Sequence, residues 1–244
     1  MARRRLHITR MCGRITQKSN PKVLGLKIAT LVEPLYADNT PPRYNGAPGQ
    51  EHWVIRQSPK TGERTLDRLW WGLIPYWTKD AKGGRKPINA KSETVASLPS
   101  FRDAYKRRRC LLPIDSFFEW KPIEGQKTKQ PYAIGMKSGE PFALAAIWEN
   151  WQRPETEEWM RTFAVLTCPA NELMADIHDR MPVIVPPESY DRWLGTLDPN
   201  PLDLLTPFPS GPMAKWPVST RVNKPDNDDA AILTPSEEAA PNLV

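Results

Sequence analysis

Apolar and polar positions alternate in short runs along this chain, and those runs set most of the predicted elements. Glu51 to Gln57 and Arg64 to Ile74 alternate on either side of Ser58-Pro59-Lys60-Thr61-Gly62, a turn-forming string, and read as a hairpin. Tyr132 to Met136 and Phe142 to Trp148 flank Lys137-Ser138-Gly139-Glu140 and read as a second hairpin. Trp159 to Leu166 and Met181 to Val185, rich in β-branched and aromatic residues, predict further strands. Helical signals are fewer. Ser100 is placed to cap a helix over Phe101 to Arg108, Asn171 one over Glu172 to Ile177, and Pro187 to Leu194 predicts a third behind Pro186. The 27 prolines fall between the apolar runs, which argues against a helical bundle. The predicted fold class is α+β: a single domain on a mixed, mainly antiparallel, barrel-like β-sheet with a few short helices.

With 244 residues the chain is near the upper size at which one hydrophobic core serves. No apolar run approaches the roughly 18 residues of a membrane span. Met1 to Arg10 carries Arg3, Arg4, Arg5 and Arg10 without an apolar stretch, so no secretory signal is read there. The expected location is cytoplasmic, nucleoid-associated if the source is bacterial. Cys12, Cys110 and Cys168 form no C-x-x-C pair and are expected as reduced thiols. His7, His52 and His178 are too few for a multi-histidine centre, so neither metal nor cofactor is expected.

Charge changes the picture further. The formal net charge is +6, but Pro225 to Val244 holds Asp226, Asp228, Asp229, Glu237 and Glu238 without a single cation. That stretch is expected as a disordered acidic tail, and the body without it stands near +11. A basic body suits a polyanion such as nucleic acid, although charge alone serves solubility equally well.

The strings G-x-S-x-G, G-x-G-x-x-G, G-x-x-x-x-G-K-[ST] and H-E-x-x-H are all missing, which removes the usual hydrolase, dinucleotide, P-loop and zinc-protease readings. Cys12 follows Met11 directly. A start at Met11 followed by removal of that methionine would expose a Cys with a free amine, whose reference pKa is about 7.7 to 8.0. Such an amine attacks an aldehyde to give an imine, and the adjacent thiol closes a thiazolidine ring. A 1,2-aminothiol is therefore an aldehyde trap. The plainer reading of Cys12 is a small buried hydrophobe. His178 lies between a predicted short helix and a Pro-limited strand, where it exchanges protons near neutrality or merely serves the fold. Glu119, inside Phe117-Phe118-Glu119-Trp120, is either desolvated and raised in pKa or turned to water by strand alternation. Asn89-Ala90-Lys91-Ser92-Glu93-Thr94 gathers an amide, a cation and a carboxylate in one short segment.

Taken in order, these segments resemble the SOS-response-associated peptidase family, the abasic-site processing proteins. The resemblance runs from Met11-Cys12-Gly13-Arg14 through Arg43-Tyr44-Asn45-Gly46-Ala47-Pro48-Gly49-Gln50 and Trp71-Gly72-Leu73-Ile74-Pro75 with Trp77. It continues through Ile88 to Thr94, Arg109 to Pro113, Phe118-Glu119-Trp120, Leu166-Thr167, His178 to Val183, and Pro217-Val218-Ser219 with Val222-Asn223. It implies binding of single-stranded DNA carrying an abasic site, also at single-strand to double-strand junctions, by a monomer without a membrane partner. It implies covalent capture of the sugar aldehyde by the amine and thiol of Cys12, with Asn89 holding the reacting groups, Glu119 moving protons and His178 assisting ring opening. Arg14, Lys91 and Arg180 would sit on phosphates, Pro48 and Trp77 at the wedge into a flanking duplex, and Asn45 and Thr167 among the DNA contacts. Lys91 departs from the pattern, which usually carries Arg there and would clamp a phosphate with two donors. The implied domains are 1–10 as leader or misassigned start, 11–224 as the processing domain and 225–244 as the tail. The other readings are a cysteine autopeptidase acting on its own leader and a non-catalytic nucleic-acid binder.

Overall fold

The computed structural model describes residues 12–19, 41–58, 61–79, 86–195 and 198–237. Residues 1–10, expected as a leader or misassigned start, Pro59 and Lys60 of the first turn, and residues 238–244 of the expected tail lie outside them. The elements in chain order are β1 (Ile15–Gln17), β2 (Arg43–Gly46), β3 (Glu51–Gln57), β4 (Arg64–Trp71) and β5 (Asn89–Lys91). Then come α1 (Arg102–Arg107), β6 (Arg109–Ile114), β7 (Ser116–Pro122), β8 (Lys129–Met136), β9 (Phe142–Gln152) and β10 (Trp159–Pro169). The chain continues with β11 (Arg180–Pro182), β12 (Ile184–Val185), α2 (Tyr190–Leu194) and β13 (Met213–Pro217).

Five strands close on themselves in the order β10, β4, β3, β6, β9 and back to β10. Only the β4 to β10 pairing in that ring is parallel. Closure removes the exposed edges that an open sheet would leave. The interior is filled by inward-facing apolar side chains, among them Ile55, Leu69, Leu111, Ile147 and Phe163, all fully buried. Trp71 stacks on Phe163 with ring centres 5.9 Å apart, and His52 meets Trp71 edge-on. A second, antiparallel sheet runs β13, β8, β7, β1, β2. Gln17 ties it to the barrel: its side-chain amide donates to the carbonyls of Trp53 (2.9 Å) and Pro113 (2.7 Å). The α+β class and the barrel agree with the sequence.

Four local expectations change. The first hairpin forms, but its second strand ends at Trp71, because Gly72 takes φ of 138° and sends its N–H to Phe163 instead. The second hairpin does not form: β8 joins β7 and β13, whereas β9 joins the barrel. The expected helix over Glu172 to Ile177 is a run of turns, although Asn171 does accept from the N–H of Met174. The helix after Ser100 forms without a side-chain cap, and Pro187 to Leu194 splits into a 3-10 turn and α2.

The acidic segment is also corrected through residue 237. Ile232 and Val222 pack with Phe118 and Ala133 on the outer face of the second sheet. Asp228 accepts the N–H groups of Tyr44 (2.6 Å) and Asn45 (2.7 Å). Apolar residues among the carboxylates supply the burial that a disordered tail lacks.

Candidate active site

Cys12 precedes β1, whose partner β7 places Phe117 opposite Ile15. That register carries the chain backwards onto Glu119, and the Cys12 backbone N–H donates to Glu119 Oε1 at 2.6 Å. Both residues are buried, Cys12 completely and Glu119 to 2% exposure. Cys12 also has φ of 30°, a conformation that an L-residue other than glycine adopts at a cost in strain. Its neighbour Gly13 lies against Ile88 and Pro48: a Cβ there would stand 3.6 Å from the first and 3.9 Å from the second, in ordinary contact. The start of the described chain is thus held between the segment that carries Asn89 and the loop that carries Pro48.

Burial governs the titration of this pocket. It pushes Glu119 up to about 8, against the opposing hydrogen bonds from the Cys12 and Trp120 backbones. It also raises the Cys12 thiol well above its ordinary value, with Glu119 adding to the rise. His178 is lowered by burial, and Asp179 opposes that shift. The exposed Asp179 carboxylate stands 2.7 Å from His178 Nδ1, yet the same nitrogen accepts the Arg180 backbone N–H at 3.1 Å. Donation to Asp179 needs a proton on Nδ1 and acceptance from Arg180 needs that nitrogen bare, while burial favours the neutral ring in either tautomer. Lys129 lies within electrostatic reach of both Glu119 and His178 and lowers each. Nothing in its local sequence singles Lys129 out.

Two of the phosphate candidates, Lys91 and Arg180, lie beside the C-terminal end of β10. In β5, Asn89 pairs with Val165 and Lys91 with Thr167, while β11 sets Pro182 against Thr167 from the other side. Lys91 is exposed. Arg180 sends both terminal nitrogens to the Glu93 carboxylate, at 2.6 and 2.8 Å, and one of them to the Thr167 carbonyl at 2.7 Å. Arg14 is half-buried, with Nη1 donating to Asn45 Oδ1 (2.8 Å) and the Val222 carbonyl (2.7 Å). Trp77 is 54% exposed, with Tyr76 beside it. Pro48 is half-buried.

Residues 11–225 match the family described as SOS response associated peptidase (SRAP). The chain belongs to that family. It is 43% identical over 195 residues to the abasic site processing protein YoqW of Bacillus subtilis, covering 79% of this chain and 85% of that one. Against YedK of Escherichia coli, another abasic site processing protein, identity is 31% over 92% of this chain and 100% of the other. The chicken protein HMCES, of the same description, is 30% identical over 83% of this chain and 69% of its own. A crystal structure of a Bacteroides thetaiotaomicron protein superposes with a TM-score of 0.82 at 25% identity, covering 93% of this chain and 100% of that one.

Two residues expected at the DNA, Asn45 and Thr167, are buried in this member of the SRAP family and hold neighbouring segments together. Asn45 is fully buried, and its Nδ2 donates to the carbonyls of Val222, Lys224 and Asn227 at 3.3, 2.9 and 2.9 Å. It fastens the C-terminal segment to β2. Thr167 is 1% exposed, with its hydroxyl toward the Ala90 carbonyl. It positions β5 and Arg180 from within. Asn45→Ala strips the Asn227 carbonyl of its donor and removes one hydrogen bond each from the Val222 and Lys224 carbonyls and from Arg14, so urea unfolding should show a loss of about 2 to 4 kcal/mol. An unfolding free energy within error of the parent protein would show that the amide does not hold this segment.

Proposed function

We propose that this chain binds abasic sites in single-stranded DNA and captures the open-chain sugar aldehyde as a thiazolidine on Cys12, covering the lesion. The observation that carries this reading is the buried contact between the Cys12 nitrogen and Glu119 at 2.6 Å. A carboxyl poised on that nitrogen serves proton transfer at the atom that must attack the aldehyde. The chemistry requires Cys12 as the first residue, because a nitrogen in a peptide bond forms no imine. The free amine adds to the sugar C1′, and the carbinolamine loses its hydroxyl as water with a proton from Glu119. The Cys12 thiol then adds to the carbon of the protonated imine, the nitrogen keeps its proton, and the thiol proton returns to Glu119. Aldehyde and aminothiol thus become a thiazolidine and one water. His178, neutral in its buried setting, exchanges a proton with the sugar during ring opening, and Asn89 holds the reacting groups from β5.

The backbone of the strand is met by Lys91 and Arg180, with Arg14 offering Nη2, which has no partner among the described residues. Family membership and the names of three relatives, all abasic site processing proteins, support this reading. Incubation with a single-stranded oligonucleotide bearing one abasic site, followed by denaturing electrophoresis, tests it. A band of retarded mobility should survive heating and be absent with the unmodified strand; a complex that dissociates on heating would refute covalent capture.

Trp77 and Pro48 are assigned to the wedge into a flanking duplex, and the exposed Trp77 is the residue free to stack there. An exposed indole stacking on a terminal base pair contributes about 1 to 3 kcal/mol. Trp77→Ala should therefore weaken binding to a single-strand to double-strand junction about tenfold and leave the melting temperature unchanged. Equal affinities of variant and parent for the junction would remove Trp77 from the interface.

The strain at Cys12 favours a second activity on the same residues, hydrolysis of the bond that precedes Cys12. Glu119 stands on the nitrogen that would leave, where its acid form would supply the proton while water supplies the hydroxyl to the new carboxyl group. Intact mass of the purified Glu119→Gln protein tests this: leader residues retained in the variant and lost from the parent support it, and identical masses refute it.

A further inference from the structure

We propose that Glu93 is a latch on Arg180, its carboxylate occupying in the DNA-free protein the place that a DNA phosphate takes in the complex. This rests on the reading that Arg180 meets the DNA backbone. The geometry is the first support. Glu93 presents two oxygens to the two terminal nitrogens of Arg180 at 2.6 and 2.8 Å, the two-pronged arrangement a phosphate would also adopt. One N–H on each terminal nitrogen is thereby occupied.

Charge is the second support. Glu93 is held down to about 2 by its hydrogen bond to Arg180, so the pair is fully ionised and neutral as a unit at working pH. While Glu93 stays, Arg180 offers a phosphate no net attraction, and a phosphate bound beside it would face a second anion on the same guanidinium. One of the two must leave.

The asymmetry of the pair identifies which. The Arg180 side chain is 14% exposed and that of Glu93 is 47%. Arg180 is anchored on its inner side by the Thr167 carbonyl, which also accepts the Ser92 N–H at 2.8 Å, and its own backbone N–H is fixed on His178. Its Nε is buried with no partner among the described residues, so the guanidinium is held, apart from Glu93, by its hydrogen bond to the Thr167 carbonyl. Glu93 reaches over from the solvent side and has room to turn away. Its departure leaves Lys91 and Arg180 as two uncompensated cations on the strands that flank β10 at the end that carries Thr167.

Equilibrium binding of an unmodified single-stranded oligonucleotide, which forms no adduct, tests the latch in four proteins: parent, Glu93→Gln, Arg180→Ala and the double variant. Removing the competing charge should tighten binding by about three- to tenfold, the scale of a partly exposed charge-assisted pair. Arg180→Ala should weaken it, and the double variant should bind no better than Arg180→Ala. Glu93→Ala, measured alongside, should also bind more tightly than the parent, which excludes an effect peculiar to the glutamine amide. Glu93 variants that bind equally or more weakly than the parent, while Arg180→Ala still weakens binding, would overturn the latch and leave the phosphate reading intact. An Arg180→Ala protein with parental affinity would overturn the phosphate reading on which the latch rests.

Discussion

Cys12→Ala should form no abasic-site adduct at all, while its affinity for intact single-stranded DNA stays within about twofold of the parent. The variant keeps a free amine but lacks the sulfur that closes the ring, so any imine it forms hydrolyses before or during denaturing electrophoresis. Cys12→Ser tests the same step more finely, since a hydroxyl is a far weaker nucleophile than a thiol and should not yield a heat-stable product. Cys110→Ala and Cys168→Ala should retain the adduct. Both thiols are buried in barrel strands, Cys110 raised well above its ordinary pKa and Cys168 to about 12 by burial, and neither adjoins a free amine. A heat-stable adduct in Cys12→Ala would show that another nucleophile is at work.

Glu119→Gln should slow adduct formation by about 10² to 10³-fold, the usual contribution of one positioned proton donor, and leave DNA affinity nearly unchanged. The pH profile separates this from a packing defect. The acid form of Glu119 is present below its folded value of about 8 and is lost as pH rises through it. The attacking amine behaves oppositely, becoming neutral as pH rises through its reference range of about 7.7 to 8.0. The parent protein should therefore show a bell-shaped rate profile with its top near pH 8, and Glu119→Gln should keep the rising limb only. Equal losses of rate and of binding, or a descending limb that survives the substitution, would remove Glu119 from the proton chemistry.

Much of this was legible in the sequence because local periodicity and motif order carry it. The hairpin over residues 51 to 71, the strand from Trp159 and the helix after Phe101 all follow from patterns within a dozen residues. Glu119 was harder. Strand alternation left it facing either the core or water, and the sequence does not reveal that both faces of β7 are covered. Phe118 packs outward against Val222 and Ile232, which leaves Glu119 inward with Cys12. The false hairpin between β8 and β9 has a similar origin. A short polar turn predicts that two strands are near in sequence, whereas each finds better partners in a different sheet.

The duties of Asn45 and Asp228 were invisible for a related reason. Their partners lie 177 to 184 residues away along the chain, so local composition reads Asp228 only as part of an acidic tail. Glu93 stood in view within its motif, but its role depends on β11 bringing Arg180 to it from 87 residues downstream.

The central claim, that Cys12 captures the sugar aldehyde with both its nitrogen and its sulfur, is tested most directly by mass spectrometry of the proteolysed adduct with an abasic oligonucleotide. The account predicts a peptide that begins at Cys12 and carries the sugar remnant with loss of one water, formed without any reducing agent. An adduct on a lysine, or on a Cys12 still joined to the residues before it, would contradict it.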